Sequence, residues 1–431
     1  MFSVRSEKSQ IRVLLFSLVV AVFLISAGIS LYYGDGFLLG TYEKLNNDDV
    51  KYVHAAELLL SDGTLAYNSG KLPSVFIMPG LPFLLAGFRL ILERSEAIMA
   101  FRLFQCILQA ASVYLIFGLA REMFKSSRVA LAAATLSALY IPDYYSSGTV
   151  LTETTFKFLL LLLIGLTISA VRTKQVGYYV AVGVCWAAVT YFKPQSALYP
   201  AIIAVLWFTA RYSWKEILKY GSILAITFCM LLSPWWIRNM LTFGEPILLT
   251  KSAGNPFLLG TLIYYGAPSQ KFYEQYPEYT STLFKGSDAE DMLAGKRILR
   301  YGLTNKPLRY VSWYTVEKFY LLFSKPFYWK PILGLNNLTV KVWHLFLFFS
   351  GVVGFAISLR RRKFVQLLPL FLTLGYFSAV YLPFITFSRY GYPLMPIFLM
   401  YAAYAGVEVT DSFRQRSSRQ NRNERGIIEQ G

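Results

Sequence analysis

The sequence predicts an all-α protein that crosses a membrane about ten times, and three observations predict it. Of 431 residues, 55% are hydrophobic and only 15% are charged. Several apolar runs reach the roughly 20 residues needed to cross a bilayer. Lys and Arg fall in short connectors that land on one side when the runs are threaded alternately, which is the positive-inside pattern. A formal net charge of +18 would suggest nucleic acid in a soluble protein. Here it reports topology and contact with anionic membrane lipids, and no nucleic-acid partner is expected. Cys106, Cys185 and Cys229 lie inside apolar runs, and His54 and His344 are far apart. No disulfide frame or zinc spacing is visible.

Arg5, Lys8 and Arg12 precede the first run, Ile11 to Leu31. That run is too long for a signal-peptide core and lacks a small-x-small cleavage site, so it reads as a retained helix with the N-terminus in the cytoplasm. An outer loop, 32–96, follows. Within it, Asn46 to Gly63 reads as a helix, with Val53, Ala56 and Leu60 on one face and Asp48, Tyr52 and Glu57 nearer another. Asp48 and Asp49 stand at its N-terminus, where the helix dipole favours negative charge and where simple capping would account for them equally well. Met78 to Leu92 is apolar but only about 15 residues long, with two prolines and Arg89, and reads as a juxtamembrane helix on the outer surface.

The remaining spans are expected at Ala97–Ala120, Val129–Tyr145, Thr154–Val171, Gly177–Phe192, Gln195–Ala210, Tyr220–Ile237, one descending after Thr339, Phe364–Phe387 and Pro393–Val409. Their basic connectors include Arg121, Lys125 and Arg128; Arg172 and Lys174; Arg211, Lys215 and Lys219; and the run Arg360 to Lys363. All of these fall on the cytoplasmic side, as do both termini. The chain thus divides into an N-terminal transmembrane module (1–237), an outer-face segment (238–340), C-terminal transmembrane helices (341–409) and a basic cytoplasmic tail (410–431) whose polar composition predicts disorder. In the outer segment a helix is expected near Asp288 to Tyr301, and Val311 to Trp329 reads as a helix on the membrane surface or a further span. No internal repeat is evident.

Charges at membrane depth or at its rim are costly and therefore informative. Glu153 opens a span in TVLTETTF, on the same outer face as Asp48. Lys193 in YFKPQS, Arg238 in SPWWIRN, Arg389 in FSRYGYP and Arg102 near the top of the second span stand on that rim too. Any one of these cations could be a snorkelling anchor. Four of them on the face that holds the acids are what a phosphate site with a proton acceptor requires. The chain has neither a GxxxxGK[ST] loop nor a GxGxxG unit between strand and helix, and there is no nucleotide pool outside the cytoplasm. An activated substrate must then arrive through the lipid. A polyprenyl phosphate carrying a sugar fits, because its phosphate leaves readily when held by Arg and Lys. A carboxylate is still needed to take the proton of the acceptor hydroxyl.

Spread along the chain are DDVKY with AAELLLSDG, MPGLP, RLFQ, SSGTVLTETTF, FKPQSAL, PWWIRNMLTFGEPILL followed by GNPFLLGT, and SRYGYPLMP. In their order and spacing these resemble the GT-C superfamily of integral-membrane glycosyltransferases, in its bacterial branch related to protein O-mannosyltransferases and lipid A aminoarabinose transferases. The resemblance implies the GT-C fold, location in a bacterial inner membrane, and an inverting transfer of a hexosyl or pentosyl group to a lipid, glycan or protein hydroxyl on the outer face. It implies Asp48 as the base, with Asp49 beside it and Glu153 as the second-loop acid. Arg238, Lys193, Arg389 and Arg102 are the expected phosphate ligands, and Tyr52, His54, Asn239 and Tyr390 the expected substrate lining. The resemblance fixes no cofactor, and Asp48 and Glu153 could share a divalent metal ion. Two departures stand out: Ile77 and Met78 replace the Lys that precedes the prolines in the aminoarabinose transferases, and Lys193 replaces an Arg found before Pro in many relatives. A polymerase or ligase of lipid-linked glycans, which would take a diphosphate donor, and a lipid or polysaccharide transporter are the competing classes.

Overall fold

The computed structural model describes residues 9–68 and 70–428, and no strand occurs among them. Arg5 and Lys8 lie outside the described residues. In chain order the first helices are α1 (Ser9–Tyr33), α2 (Asp48–Asp62), α3 (Gly80–Arg89), α4 (Arg94–Phe124), α5 (Ser127–Ala138), α6 (Ile141–Gly148) and α7 (Glu153–Thr173). Next come α8 (Val176–Phe192), α9 (Pro200–Thr209) and α10 (Trp214–Phe243), then the shorter α11 (Gly254–Thr261), α12 (Gln270–Gln275) and α13 (Tyr279–Thr282), followed by α14 (Asp288–Asn305), α15 (Pro307–Ser312) and α16 (Lys318–Phe323). The chain closes with α17 (Asn337–Arg360), α18 (Phe364–Tyr381), α19 (Ser388–Gly391) and α20 (Met395–Ile428).

Among the described residues, seven helices are long and apolar enough to cross a membrane: α1, α4, α7, α10, α17, α18 and the run from Ser388 to Arg414. The runs expected as spans from Val129, Gly177 and Gln195 also carry helices, but α5, α8 and α9 have 12, 17 and 10 residues. Proline explains two of these. Pro142 follows α5 within four residues and starts α6 as a separate helix, and Pro194 opens a 3-10 turn ahead of α9, since the residue before proline is pushed out of helical geometry.

Close backbone approach ties the last helices together. A Cβ on Gly354 of α17 would lie 1.9 Å from the Tyr401 carbonyl oxygen of α20, so only a hydrogen fits there. One end of the bundle gathers the basic connectors, joined across helices by Arg172–Glu122 (2.9 Å), Lys174–Glu216 (2.6 Å), Arg128–Asp411 (2.7 Å) and Arg361–Glu408 (3.3 Å). These pairs are exposed and each contributes at most about 1 kcal/mol. The opposite end carries α2, α3 and a lobe, 254–305, with its own small core of Leu258, Leu262, Phe272, Ala294 and Ile298.

One expectation needs correction. The boundary placed at residue 237 falls inside α10, which ends at Gly244 in the left-handed region (φ 69°). Within 311–329 the chain is helical as far as Phe323, through a π-helical turn at Trp313–Glu317; Trp313, Lys318, Leu322 and Phe323 face the protein, and Val311, Val316 and Tyr320 are exposed. α20 continues as a helix to Ile428. Residues 429–431 lie outside the described residues.

Candidate active site

The geometry of α2 begins with its cap. Asn47, in extended conformation, accepts the Asp48 backbone N–H at 2.8 Å, and Gly63 closes the helix at φ 64°. Consecutive helical residues point about 100° apart, so Asp48 and Asp49 part company. Asp49 is 1% exposed, and its oxygens accept the backbone N–H groups of Leu39, Gly40 (3.3 Å) and Val50 (2.8 Å). It pins the incoming loop to α2. Asp48 turns the other way: its Oδ1 accepts the Tyr67 hydroxyl at 2.7 Å and its Oδ2 accepts Arg389 Nη1 at 2.7 Å.

Arg389 is the hinge of the arrangement. Its Nε donates to Glu153 Oε1 at 2.8 Å, and the same oxygen accepts Lys193 Nζ at 2.8 Å. Two carboxylates and two cations from α2, α7, the end of α8 and α19 thus form one neutral chain, Asp48–Arg389–Glu153–Lys193. Glu153 Oε2 is buried without a partner among the described residues. The Asp48 side chain is 37% exposed, whereas those of Arg389, Lys193 and Glu153 are 11%, 10% and 0% exposed, so Asp48 is the member that faces outward. Tyr390 stacks on Tyr381 (4.9 Å between ring centres), with Lys193 Nζ 5.7 Å from its ring. Gly391 lets this turn approach α16, since a Cβ there would lie 2.1 Å from the Leu322 carbonyl oxygen.

The strap that delivers Arg389 is held from outside the bundle. Lys318, fully buried, donates to the carbonyls of Leu382 (2.6 Å) and Phe384 (2.9 Å). The Ile385 N–H donates to Pro256 O (2.7 Å), while the Tyr265 hydroxyl both donates to Thr386 O (2.8 Å) and accepts from Thr386 N (3.0 Å).

Burial alone would push the Asp48 carboxyl up. The charge of Arg389 and the Tyr67 hydroxyl outweigh it and hold the group below its ordinary value of 3.8. Burial, reinforced by the neighbouring Tyr52 and Asp48, pushes the Tyr67 phenol well above its ordinary value, so it stays protonated and donates. Burial and the Asp48 charge raise Tyr52 as well.

Other expected site residues stand apart. Arg102, 1% exposed, donates to Gly148 O (3.0 Å) and Asp35 Oδ1 (3.1 Å), fastening the two loops at this end. Arg238 donates to Ser74 O (3.2 Å), Leu65 O (3.4 Å) and Asn239 Oδ1 (2.9 Å), and makes no ion pair among the described residues. Asn239 is buried and donates to Ile247 O at 2.8 Å. Tyr52 is 7% exposed, its ring 5.4 Å from that of Tyr67, so the expected polar face of α2 is packed, while Leu60 is exposed. His54 is half-buried. Tyr67 went unmarked in the sequence, where TLAYNSG carries no periodicity or charge to single it out.

A shared divalent ion does not fit this set. Hard cations gather six or more oxygens, no group of three or more His, Cys, Asp or Glu suited to a metal occurs among the described residues, and Arg389 already occupies the space between the two carboxylates.

The fold, a bundle of apolar helices of membrane-spanning length with loops and a small lobe at one end, is of the GT-C type. Residues 75–237 match the sequence model of the family described as dolichyl-phosphate-mannose-protein mannosyltransferase. The oligosaccharyltransferase of Archaeoglobus fulgidus, in its apo form, superposes with a TM-score of 0.55 at 16% identity, over 94% of this chain and 52% of that one. The chain therefore spans about half the length of that relative. ArnT of Cupriavidus metallidurans, bound to undecaprenyl phosphate, gives a TM-score of 0.42 at 14% identity, over 90% of this chain and 77% of that one. No curated protein sequence matches the chain.

Proposed function

We propose that the chain transfers a sugar from a polyprenyl-phosphate donor to an acceptor hydroxyl at the extracytoplasmic face of a bacterial inner membrane, with inversion at the anomeric carbon. The observation that carries this reading is the Asp48–Arg389 pair at 2.7 Å, tied through Glu153 to Lys193. It sets a carboxylate that faces outward against buried cations fitted to a phosphate. The basic connectors at the opposite end of the bundle support the sidedness.

In this reading the donor phosphate draws on Arg389 and Lys193 by charge-assisted hydrogen bonds. Arg389 then shares its positive charge with a third anion, and its hold on Asp48 weakens. The carboxylate, kept a weak base at rest, gains basicity as donor binds. Its oxygen takes the proton of the acceptor hydroxyl while the acceptor oxygen bonds to the anomeric carbon. The carbon–oxygen bond to phosphate breaks with its electron pair staying on the phosphate, whose developing charge the two cations stabilise.

The test supplies purified protein with polyprenyl-monophosphate and polyprenyl-diphosphate sugars side by side. Transfer from the monophosphate, lost in Asp48→Asn, is expected. Turnover with the diphosphate alone would instead favour a polymerase or ligase.

A further inference from the structure

One helical turn along α7 from Glu153 sits Lys157, 0% exposed and inside an apolar run. Its ammonium donates to Asp143 Oδ1 (2.6 Å), to the Tyr392 hydroxyl (3.0 Å) and to Gln109 Oε1. Gln109 Nε2 in turn donates to Asp143 Oδ2 (2.8 Å), and the Tyr392 hydroxyl donates to Asp143 Oδ1 (2.7 Å). All four side chains are 2% exposed or less. They come from α4, α6, α7 and the turn Tyr392–Leu394, and every donor of the ammonium is used.

Such a network is a poor way to gain stability. Desolvating two charges costs several kcal/mol each, and well-packed apolar side chains in their place are often as stable or more so. Satisfied buried networks do give direction: apolar contacts let helices slide and rotate by small amounts, whereas these bonds fix them. What they fix here is specific. Lys157 follows Glu153 by four residues on one rigid helix, and Tyr392 follows Arg389 by three. The network therefore sets the rotation of α7 against the turn that bears Arg389.

We infer that Lys157, Asp143, Gln109 and Tyr392 are positioning residues that hold Glu153 and Arg389 at hydrogen-bond distance, so that the guanidinium presents one edge to Glu153 and the other to Asp48. The inference rests on the proposed transfer reaction. None of the four makes a hydrogen bond or ion pair to Asp48, Arg389, Glu153 or Lys193 among the described residues; they act through the helices that carry them.

The test replaces the whole network with apolar side chains, in a variant combining Lys157→Met, Asp143→Leu, Gln109→Leu and Tyr392→Phe, beside Tyr392→Phe alone. Because no polar group is left half-paired, the fourfold variant is expected to keep its Tm. Its kcat is expected to fall by roughly 10- to 100-fold, the range that a displacement near 1 Å produces, with weaker binding of polyprenyl phosphate. Tyr392→Phe removes one donor from Asp143 and one acceptor from Lys157, and is expected to lower Tm modestly and, measured well below that Tm, to lower kcat several-fold. A fourfold variant with Tm, kcat and lipid affinity like the parent would overturn the positioning role. If that variant does not fold, Tyr392→Phe decides: parental kcat and lipid affinity in that variant would overturn the role. Absence of transfer by the parent protein would instead defeat the proposed reaction.

Discussion

Arg389 and Asp48 are 341 residues apart in sequence and 2.7 Å apart in space. The bond joins the first outer helix to the last spanning segment, and it determines what each residue can do when substituted.

Asp48→Asn removes the proposed base and leaves a polar group of the same shape. The Tyr67 hydroxyl and Arg389 both donate, and the amide oxygen can accept only one of them. The variant is expected to fold and bind polyprenyl phosphate while turnover drops by about 100-fold or more. Steady-state transfer rates beside donor-lipid affinity check this, and parental turnover would remove the mechanism.

The depressed pKa of Asp48 has a thermal signature. A carboxyl whose folded-state pKa lies below 3.8 adds stability that is fully present above the unfolded value and is lost as pH falls through the folded one. The Tm advantage of the parent over Asp48→Asn is expected to shrink as pH drops below about 4. Melting both proteins in detergent between pH 3 and 7 tests this, and an advantage constant across that range contradicts the ion pair.

Glu153→Gln withdraws the anion that Arg389 and Lys193 share and leaves buried cations short of a partner. Breaking one side of a buried pair costs roughly 3 to 5 kcal/mol, so a lower Tm is expected. Polyprenyl phosphate restores an anion and should raise the variant's Tm by more than it raises the parent's. Equal shifts in the two proteins would show that the phosphate does not come to these cations.

Arg389→Lys keeps the charge but not the fork. Nε and Nη1 reach two different carboxylates, and a single ammonium on a flexible stem cannot present two planar edges. A loss of turnover close to that of Arg389→Ala is expected. Recovery of most activity by lysine would mean that charge alone suffices.

Arg238→Ala separates two roles for that residue. Since Arg238 binds the carbonyls of Leu65 and Ser74, its loss should loosen the loop between α2 and α3 and lower Tm, with donor affinity little changed. Weakened lipid binding at parental Tm would return Arg238 to the phosphate.

Glu153, Lys193 and Arg389 were legible in the sequence for the reason that makes them rare: a carboxylate, an ammonium or a guanidinium at the rim of an apolar run is expensive, whereas Asp48 was marked by its place at a helix N-terminus in the first outer loop. Asp49 could not be told from Asp48, because only the backbone of Leu39 and Gly40, folding over α2, decides which acid is used up. Lys157 and Asp143 were hidden by their company. Each lies within an apolar stretch and reads as a stray, and their pairing depends on α4, α6, α7 and the Tyr392 turn meeting at one depth. The short helices α5 and α9 hid similarly, since hydropathy measures run length while Pro142 and Pro194 break the backbone.

The five hydrogen bonds that clamp residues 382–386 to Lys318, Pro256 and Tyr265 make the base of Arg389 a fixed mount. Swinging the whole strap aside would break all five bonds at once. A guanidinium on such a mount can exchange partners by turning about its own side-chain torsions, a small and fast movement, so under the proposed reaction the site would reset without unfolding any of its frame.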